Sequence, residues 1–483
     1  MKISRVKYSG FIFLFILAFF LLIVTEILLS GSESLISLRI ISLINLSLLI
    51  AFILNLIILP GYIIDITLNK PINFYAFFFA LYFVLPSLFS FYDKSISNEN
   101  LSLISFFYLF SFFSFYLGIK KSKIKEIPFL RDKYFSRNEG RALLLICIIL
   151  IIAIIYYYYW RISENIFFNH AYMYDQRTDL ASSIRDVFIQ SAQLPLIILL
   201  GLLTKVNDNK IAHQGKLLLF SYSIGITFIY TLSSQTRPAI TALILLVVSV
   251  SFYKHYQLKL VKSFVILFLS IFIVTAIQAQ RIALKEKLIM SSNQLSTALD
   301  FIINGTLSTI SENNYDKSII RSRAEGSVLF LSDIIDKFDE GYSPLFGKST
   351  LIGLSGIIPR FIYPEKPIVT SPQLVVKGLL NMPLIDDALT MVNQFYVEFG
   401  TIGLFLGFLI FGFLMGKYFN YLQGKNSIGP FIFFSFFICQ VIQMEQEFVI
   451  ALLGFIRNSV IIYFIFLILK FIYGVKNKYV FTQ

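Results

Sequence analysis

The chain is a succession of long apolar blocks separated by short polar connections. The blocks fall at approximately 9–30, 38–60, 72–91, 101–119, 142–159, 187–203, 216–233, 238–253, 260–280, 397–416, 428–444 and 449–475. Most are roughly 17 to 25 residues long, the length a helix needs to cross about 30 Å of hydrocarbon. Their apolar residues are continuous and do not alternate with polar ones, which excludes a membrane β-barrel. The pattern predicts an all-α polytopic membrane protein with about 12 transmembrane helices. Residues 1–280 would hold helices 1–9, and residues 397–483 would hold helices 10–12 and a tail. Between helices 9 and 10, residues 281–396 form one large hydrophilic loop. Val328, Leu331, Ile335 and Phe338 recur in it at the spacing of one helix face, so the loop is expected to be partly helical. Such a face either lies on the membrane surface or packs over the helix bundle.

Composition strengthens this reading. Of 483 residues, 57% are hydrophobic and 14% are charged, where a soluble domain carries about 25% charged residues. The net charge of +13 would suggest nucleic acid in a soluble protein. In a membrane protein the same excess fixes topology and faces anionic headgroups, so no nucleic-acid partner is expected. With the N-terminus in the cytoplasm, cytoplasmic connections hold 23 Lys and Arg and the short outer connections hold seven. Both termini are therefore expected inside and the large loop outside. Lys2, Arg5 and Lys7 precede an apolar run from Phe11 to about Leu29, read as a first membrane helix and not a cleaved signal. Cys147 and Cys439 lie within apolar blocks and are read as packing residues. The three histidines stand apart, and no metal-ligand spacing, P-loop or dinucleotide fingerprint occurs. Neither a metal nor a cofactor is expected.

With so few charges, those at the membrane boundary are conspicuous. Arg177, Arg237, Arg281, Arg321, Arg323, Arg360 and Arg457 recur at the outer side, against the topological charge bias. One boundary arginine is ordinarily a snorkelling anchor. As a group, guanidiniums at the outer interface suit a phosphate-bearing lipid, because each binds phosphate oxygens bidentately and stays charged. Glu398 ends the large loop where helix 10 enters the membrane. A carboxylate there could act as a general base, or it could simply sit favourably at a helix N-terminus. Gly403 and Gly407, then Gly412 and Gly416, form small-xxx-small pairs that permit close helix packing.

Several segments carry a family resemblance. Ile358-Pro359-Arg360-Phe361-Ile362-Tyr363-Pro364-Glu365-Lys366-Pro367 resembles a pattern late in the large loop of Wzy-type oligosaccharide repeat-unit polymerases, the O-antigen polymerases. The Thr236-Arg237-Pro238 turn, the Arg323 stretch, Glu398-Phe399-Gly400-Thr401-Ile402-Gly403 and the layout of spans are similar to the same family. The resemblance implies a GT-C-like glycosyltransferase of the bacterial cytoplasmic (inner) membrane, metal-independent and inverting. It would join undecaprenyl-pyrophosphate-linked donor and acceptor units at the periplasmic face, making a surface polysaccharide such as that of lipopolysaccharide. A chain-length regulator protein is a possible partner. Glu398 would take the acceptor proton, with Arg237 and Arg281 also catalytic. Arg237, Arg281, Arg323, Arg360, Lys366 and Arg177 would bind the pyrophosphate. The related O-antigen ligases carry a histidine before a comparable Glu stretch, whereas this chain has Val392-Asn393-Gln394 and no histidine in the loop. Ligase or another GT-C enzyme is the first alternative, and a lipid-linked oligosaccharide flippase or transporter the second.

Overall fold

The computed structural model describes residues 33–59, 63–64, 79–90, 96–123, 137–163, 208–232, 258–259, 317–355, 372–382 and 389–423, with isolated positions between 72 and 471. The described chain is mostly helical, and three of its helices are long and apolar enough to cross a membrane, Asn98–Lys121, Arg137–Trp160 and Met391–Tyr418. In chain order the helices are α1 (Glu33–Ile57), α2 (Leu85–Ser90, entered through a π-helical turn at Ala80–Val84), α3 (Asn98–Lys121), α4 (Arg137–Ser163), α5 (Asn209–Leu232), α6 (Lys317–Asp339), α7 (Lys348–Leu354), α8 (Pro372–Leu379) and α9 (Met391–Gln423). Blocks 9–30, 238–253, 260–280 and 428–444 lie outside the described residues.

α3 and α5 start for local reasons. Ser97 caps α3, its hydroxyl accepting from the Asn100 N–H at 3.1 Å. Glu99 in the first turn and Lys120 and Lys121 in the last complement the helix dipole. Asp208 caps α5 by accepting from the N–H groups of Lys210 and Ile211, and also pairs with Arg137 at 2.9 Å.

The core is an aromatic zipper along α3. Tyr75 stacks on Phe115, Phe79 meets Phe112 edge to face, and Phe83 packs tilted against Tyr108, all buried. α1 and α9 flank α3, and both run parallel to it. On one side Arg39 Nε donates to Asn98 at 2.7 Å, Asn45 donates to Ser105 at 3.2 Å, and Phe52 meets Tyr116. On the other, Phe107 meets Tyr396, Phe110 stacks on Phe405, and Asn420 donates to the Ser122 carbonyl at 3.0 Å. At the crossing, Gly118 lies against the α9 backbone and Gly412 against the Phe115 carbonyl. A Cβ on Gly118 would meet the Leu409 oxygen, and one on Gly412 the Phe115 oxygen, at 2.2 and 2.3 Å.

These pairs sort helix ends into two sides. One gathers the starts of α1 and α3 with the described part of the large loop. The other gathers the ends of α3 and α9. A small antiparallel patch joins Ile58–Leu59, Ile63–Ile64 and Leu258–Lys259 in the order β1-β2-β3, linking two connections that the sequence assigns to one side.

α6 packs over the bundle. Val328, Leu331 and Ile335 are buried with Phe330 and Ile334, against α2, α3 and α9. Of the two places open to this amphipathic face, the structure selects the bundle and not the lipid surface. Asn100, buried at the start of α3, fastens it by donating to Ser332 Oγ at 2.8 Å and Asp336 Oδ1 at 2.7 Å. α6 ends at Gly341, whose φ of 98° belongs to the left-handed region that a helix C-terminus commonly uses. The Tyr342 N–H then returns to the Lys337 carbonyl at 3.1 Å.

Candidate functional site

The N-terminal end of α9 organises the site. Thr390 caps it, its hydroxyl accepting from the Asn393 N–H and donating to Asn393 Oδ1. The next residues are polar and buried. Asn393 donates to the Ser327 carbonyl of α6 at 3.0 Å. Gln394 donates to Thr350 Oγ1 and accepts from the Val449 N–H, each at 3.3 Å. The helix then breaks. Phe399 (φ −139°, ψ 16°) and Gly400 (φ 64°, ψ −150°) leave helical geometry, and the Gly400 values lie in a region that side chains exclude. Glu398 is the last residue before that break.

Glu398 is 1% exposed, and both its oxygens are occupied. Oε2 accepts from the Gly347 N–H at 2.6 Å. Oε1 accepts from Ser349 Oγ at 2.5 Å, the Thr350 N–H at 2.7 Å and Thr350 Oγ1 at 2.9 Å. The backbone joins in, with the N–H groups of Leu345 and Phe346 donating to the carbonyls of Val397 (3.0 Å) and Glu398 (2.8 Å). Seen from the loop, Glu398 supplies the carboxylate that caps α7, a helix whose own N-cap, Gly347, has no side chain to do so. A Gly-Lys-Ser-Thr run offers N–H and hydroxyl donors of the kind that also cradle phosphate, and here they hold the chain's own carboxylate.

The sequence places Glu398 at the start of helix 10. In the structure α9 begins seven residues earlier, and Glu398 faces the N-terminus of a different helix. The reason is that Thr390, Asn393 and Gln394 are buried against the loop, so the helix extends beyond its apolar block. Gly403 and Gly407 also differ from their reading as a helix–helix contact. They make room for Phe395 of the same helix, which folds back over the break. Gly412 does serve a close helix crossing.

Of the other residues singled out, Arg323 lies on α6, with its side chain outside the described residues. Arg177, Arg237, Arg281, Arg360 and Lys366 lie outside the described residues altogether, as does Cys439. Cys147 is buried in α4, its thiol facing the Pro195 carbonyl at 3.9 Å. Among the described residues no three His, Cys, Asp or Glu side chains gather as a metal site would require.

Sequence reasoning missed Ser349 and Thr350, whose only local signal was the Gly347-Lys348-Ser349-Thr350 run, and gave Gln394 no role at the site. It also missed Lys377 of α8, buried with its ammonium 5.2 Å from the Phe330 ring centre. Beside the Glu398 contacts, a cleft of about 500 Å³ opens between Glu340–Leu345, Lys348 and Leu379–Leu380. Its rim carries Tyr342, whose hydroxyl accepts from Asn381 at 3.1 Å, and the Lys337–Glu340 ion pair at 2.6 Å. That hydrogen bond to Glu340 raises the Lys337 pKa above its ordinary value.

Comparison of the chain with protein-family models, with curated proteins and with solved structures finds no match.

Proposed function

We propose that this chain is a polymerase of lipid-linked oligosaccharide repeat units. In this reading it is a GT-C-like glycosyltransferase of about twelve spans in a bacterial inner membrane, with both termini in the cytoplasm and the large loop in the periplasm. The observation that carries the proposal is the docking of that loop, through Glu398, onto the helix that carries Glu398-Phe399-Gly400-Thr401-Ile402-Gly403. The resemblance to the polymerase family rests partly on this stretch. α6 packs across the bundle at the end where α9 begins, with a cleft beside α7, and this gives the loop a structured position next to the helix that carries Glu398.

In the reaction, the acceptor hydroxyl attacks the anomeric carbon of the donor, the bond to pyrophosphate oxygen breaks, and the attacking hydroxyl gives up its proton. Arg237, Arg281, Arg323, Arg360, Lys366 and Arg177 are the cations assigned to the departing pyrophosphate, where fixed positive charge lowers the barrier. A general base must come within about 2.6–3.2 Å of the proton it takes. With four donors on its oxygens, Glu398 meets that condition only once α7 moves aside. The geometry favours Glu398 as the residue that positions the loop, with proton removal as a second role in a displaced state.

Incubation of the purified protein with its lipid-linked repeat unit, without added metal, tests the proposal. A ladder of glycan lengths that disappears in Arg237→Ala supports it. Transfer to an added lipid A-core acceptor would make the chain a ligase, and no product at all would turn attention to flipping. Ser349→Ala separates the two roles of Glu398. If the residue positions the loop, kcat falls about tenfold or more, a barrier change of at least about 1.4 kcal/mol. If it acts only as a base, kcat is retained.

A further inference from the structure

Next to the Glu398 contacts, two aromatic residues are displayed outward on unusual backbone. Phe346 has a φ of 49°, in the left-handed region that bulky side chains rarely occupy, and is 71% exposed. Phe399 stands in the break of α9 and is 48% exposed. Their rings meet edge to face with centroids 6.5 Å apart, and the Phe399 ring covers Gly347. The hydrogen bonds from Leu345, Phe346 and Gly347 to Val397 and Glu398 hold this arrangement in place. On α7, one turn after Gly347, Leu351 is 67% exposed.

A water-facing loop would gain nothing from locking a phenylalanine outward. What covers this surface follows from its continuity with the helix beside it. Below the break, α9 presents exposed Ile402, Leu406, Ile410 and Leu414, an apolar stripe at helical spacing on a helix long enough to cross a bilayer. Phe399 stands at the top of that helix, so the exposed surface of the turn extends a stripe already suited to acyl chains. Lys348, exposed beside Phe346, is a residue type that keeps its charge at headgroup level while its stem lies along apolar surface.

We propose that the turn Pro344–Gly347 and the exposed face of α7 are a membrane-surface anchor. Phe346, Phe399 and Leu351 enter the upper acyl region of the bilayer's phospholipids, and Lys348 meets their headgroup phosphates. The large loop is then held at both its edges, by Glu398 on the protein side and by lipid on the other. This inference rests on α9 crossing the membrane and is independent of glycosyl transfer, because its test reads position alone.

The sole tryptophan, Trp160, makes that test direct. The full chain carrying Trp160→Phe and Phe346→Trp is placed in phosphatidylcholine–phosphatidylglycerol vesicles containing no polyprenyl lipid. Its fluorescence is then read with acyl chains brominated near the headgroup or at mid-chain. Leu406→Trp, in the same background, reports a lipid-facing position, and Leu351→Trp reads the same surface if Phe346→Trp fails to fold. The anchor predicts a blue-shifted emission, quenched at least half as strongly as Leu406→Trp and more by the shallow bromines than by the deep ones. Quenching by aqueous acrylamide in place of bromolipid would overturn it, because the turn would then face water. Protection from both quenchers would also overturn it, because the surface would then be covered by protein, such as a second copy.

Discussion

Glu398 holds α7 through both of its oxygens, so removing donors one at a time and removing the acceptor have different consequences. Ser349→Ala takes away one donor and leaves the others, and should cost about 1.5–3 kcal/mol, the range for a hydrogen bond to a charged group, read as a lower unfolding midpoint in detergent. Glu398→Ala leaves two N–H groups and two hydroxyls without their acceptor in a buried place. It should cost more than Ser349→Ala and speed hydrogen exchange at Gly347 and Thr350, while the middle of α3 stays protected. Unchanged exchange at those two amides would show that α7 does not need the carboxylate. The residue itself was legible in the sequence, as a carboxylate on the threshold of an apolar block. Its partners were not. Ser349 and Thr350 lie 49 and 48 residues away, and no local pattern joins positions so far apart.

Elements differ from residues in how much the sequence reveals. α1, α3, α4 and α5 begin and end within several residues of their apolar blocks, and α3 and α4 among them are long and apolar enough to cross a membrane. α9 departs from its block where burial against protein replaces burial in lipid, at Thr390, Asn393 and Gln394. Its break at Phe399–Gly400 was not predicted, although Gly400, directly after Glu398 and Phe399, is the residue type such a break requires. The contact between α3 and α9 was half visible, since Gly412 stood in a small-residue pair singled out above, whereas Gly118, four residues after Ser114, was passed over. Gly118→Val should force the two helices apart, because the added carbons meet backbone and not a yielding side chain. The expected result is a polydisperse, poorly recovered protein on size exclusion, and a normal profile would count against this crossing. Asn100→Ala should free α6 in turn. Loss of its bonds to Ser332 and Asp336 is expected to cost about 1–3 kcal/mol and to raise exchange across residues 326–339, leaving α4 unaffected.

At the scale of the molecule, the pairs between helix ends define two sides, and labelling can assign them. In a background with Cys147→Ser and Cys439→Ser, a membrane-impermeant maleimide should reach Lys348→Cys in intact cells. It should reach Arg137→Cys only after permeabilisation. Labelling of both from one side would break the arrangement of spans. The three described helices long and apolar enough to cross a membrane came readily from block length. The site did not, because it is assembled from segments that meet only in three dimensions. One feature sets a timetable for that assembly. Asn100 is made 236 residues before its partner Asp336, and Thr350 is made 48 residues before Glu398. At about 5–20 residues per second, α3 is complete for roughly 10 to 50 s before α6 can settle on it. Most of the loop is polymerised before the residue that will hold it. The contact of the loop with α9 therefore closes only after α9 has been made, so the last long helix of the described chain is also the one that completes the site.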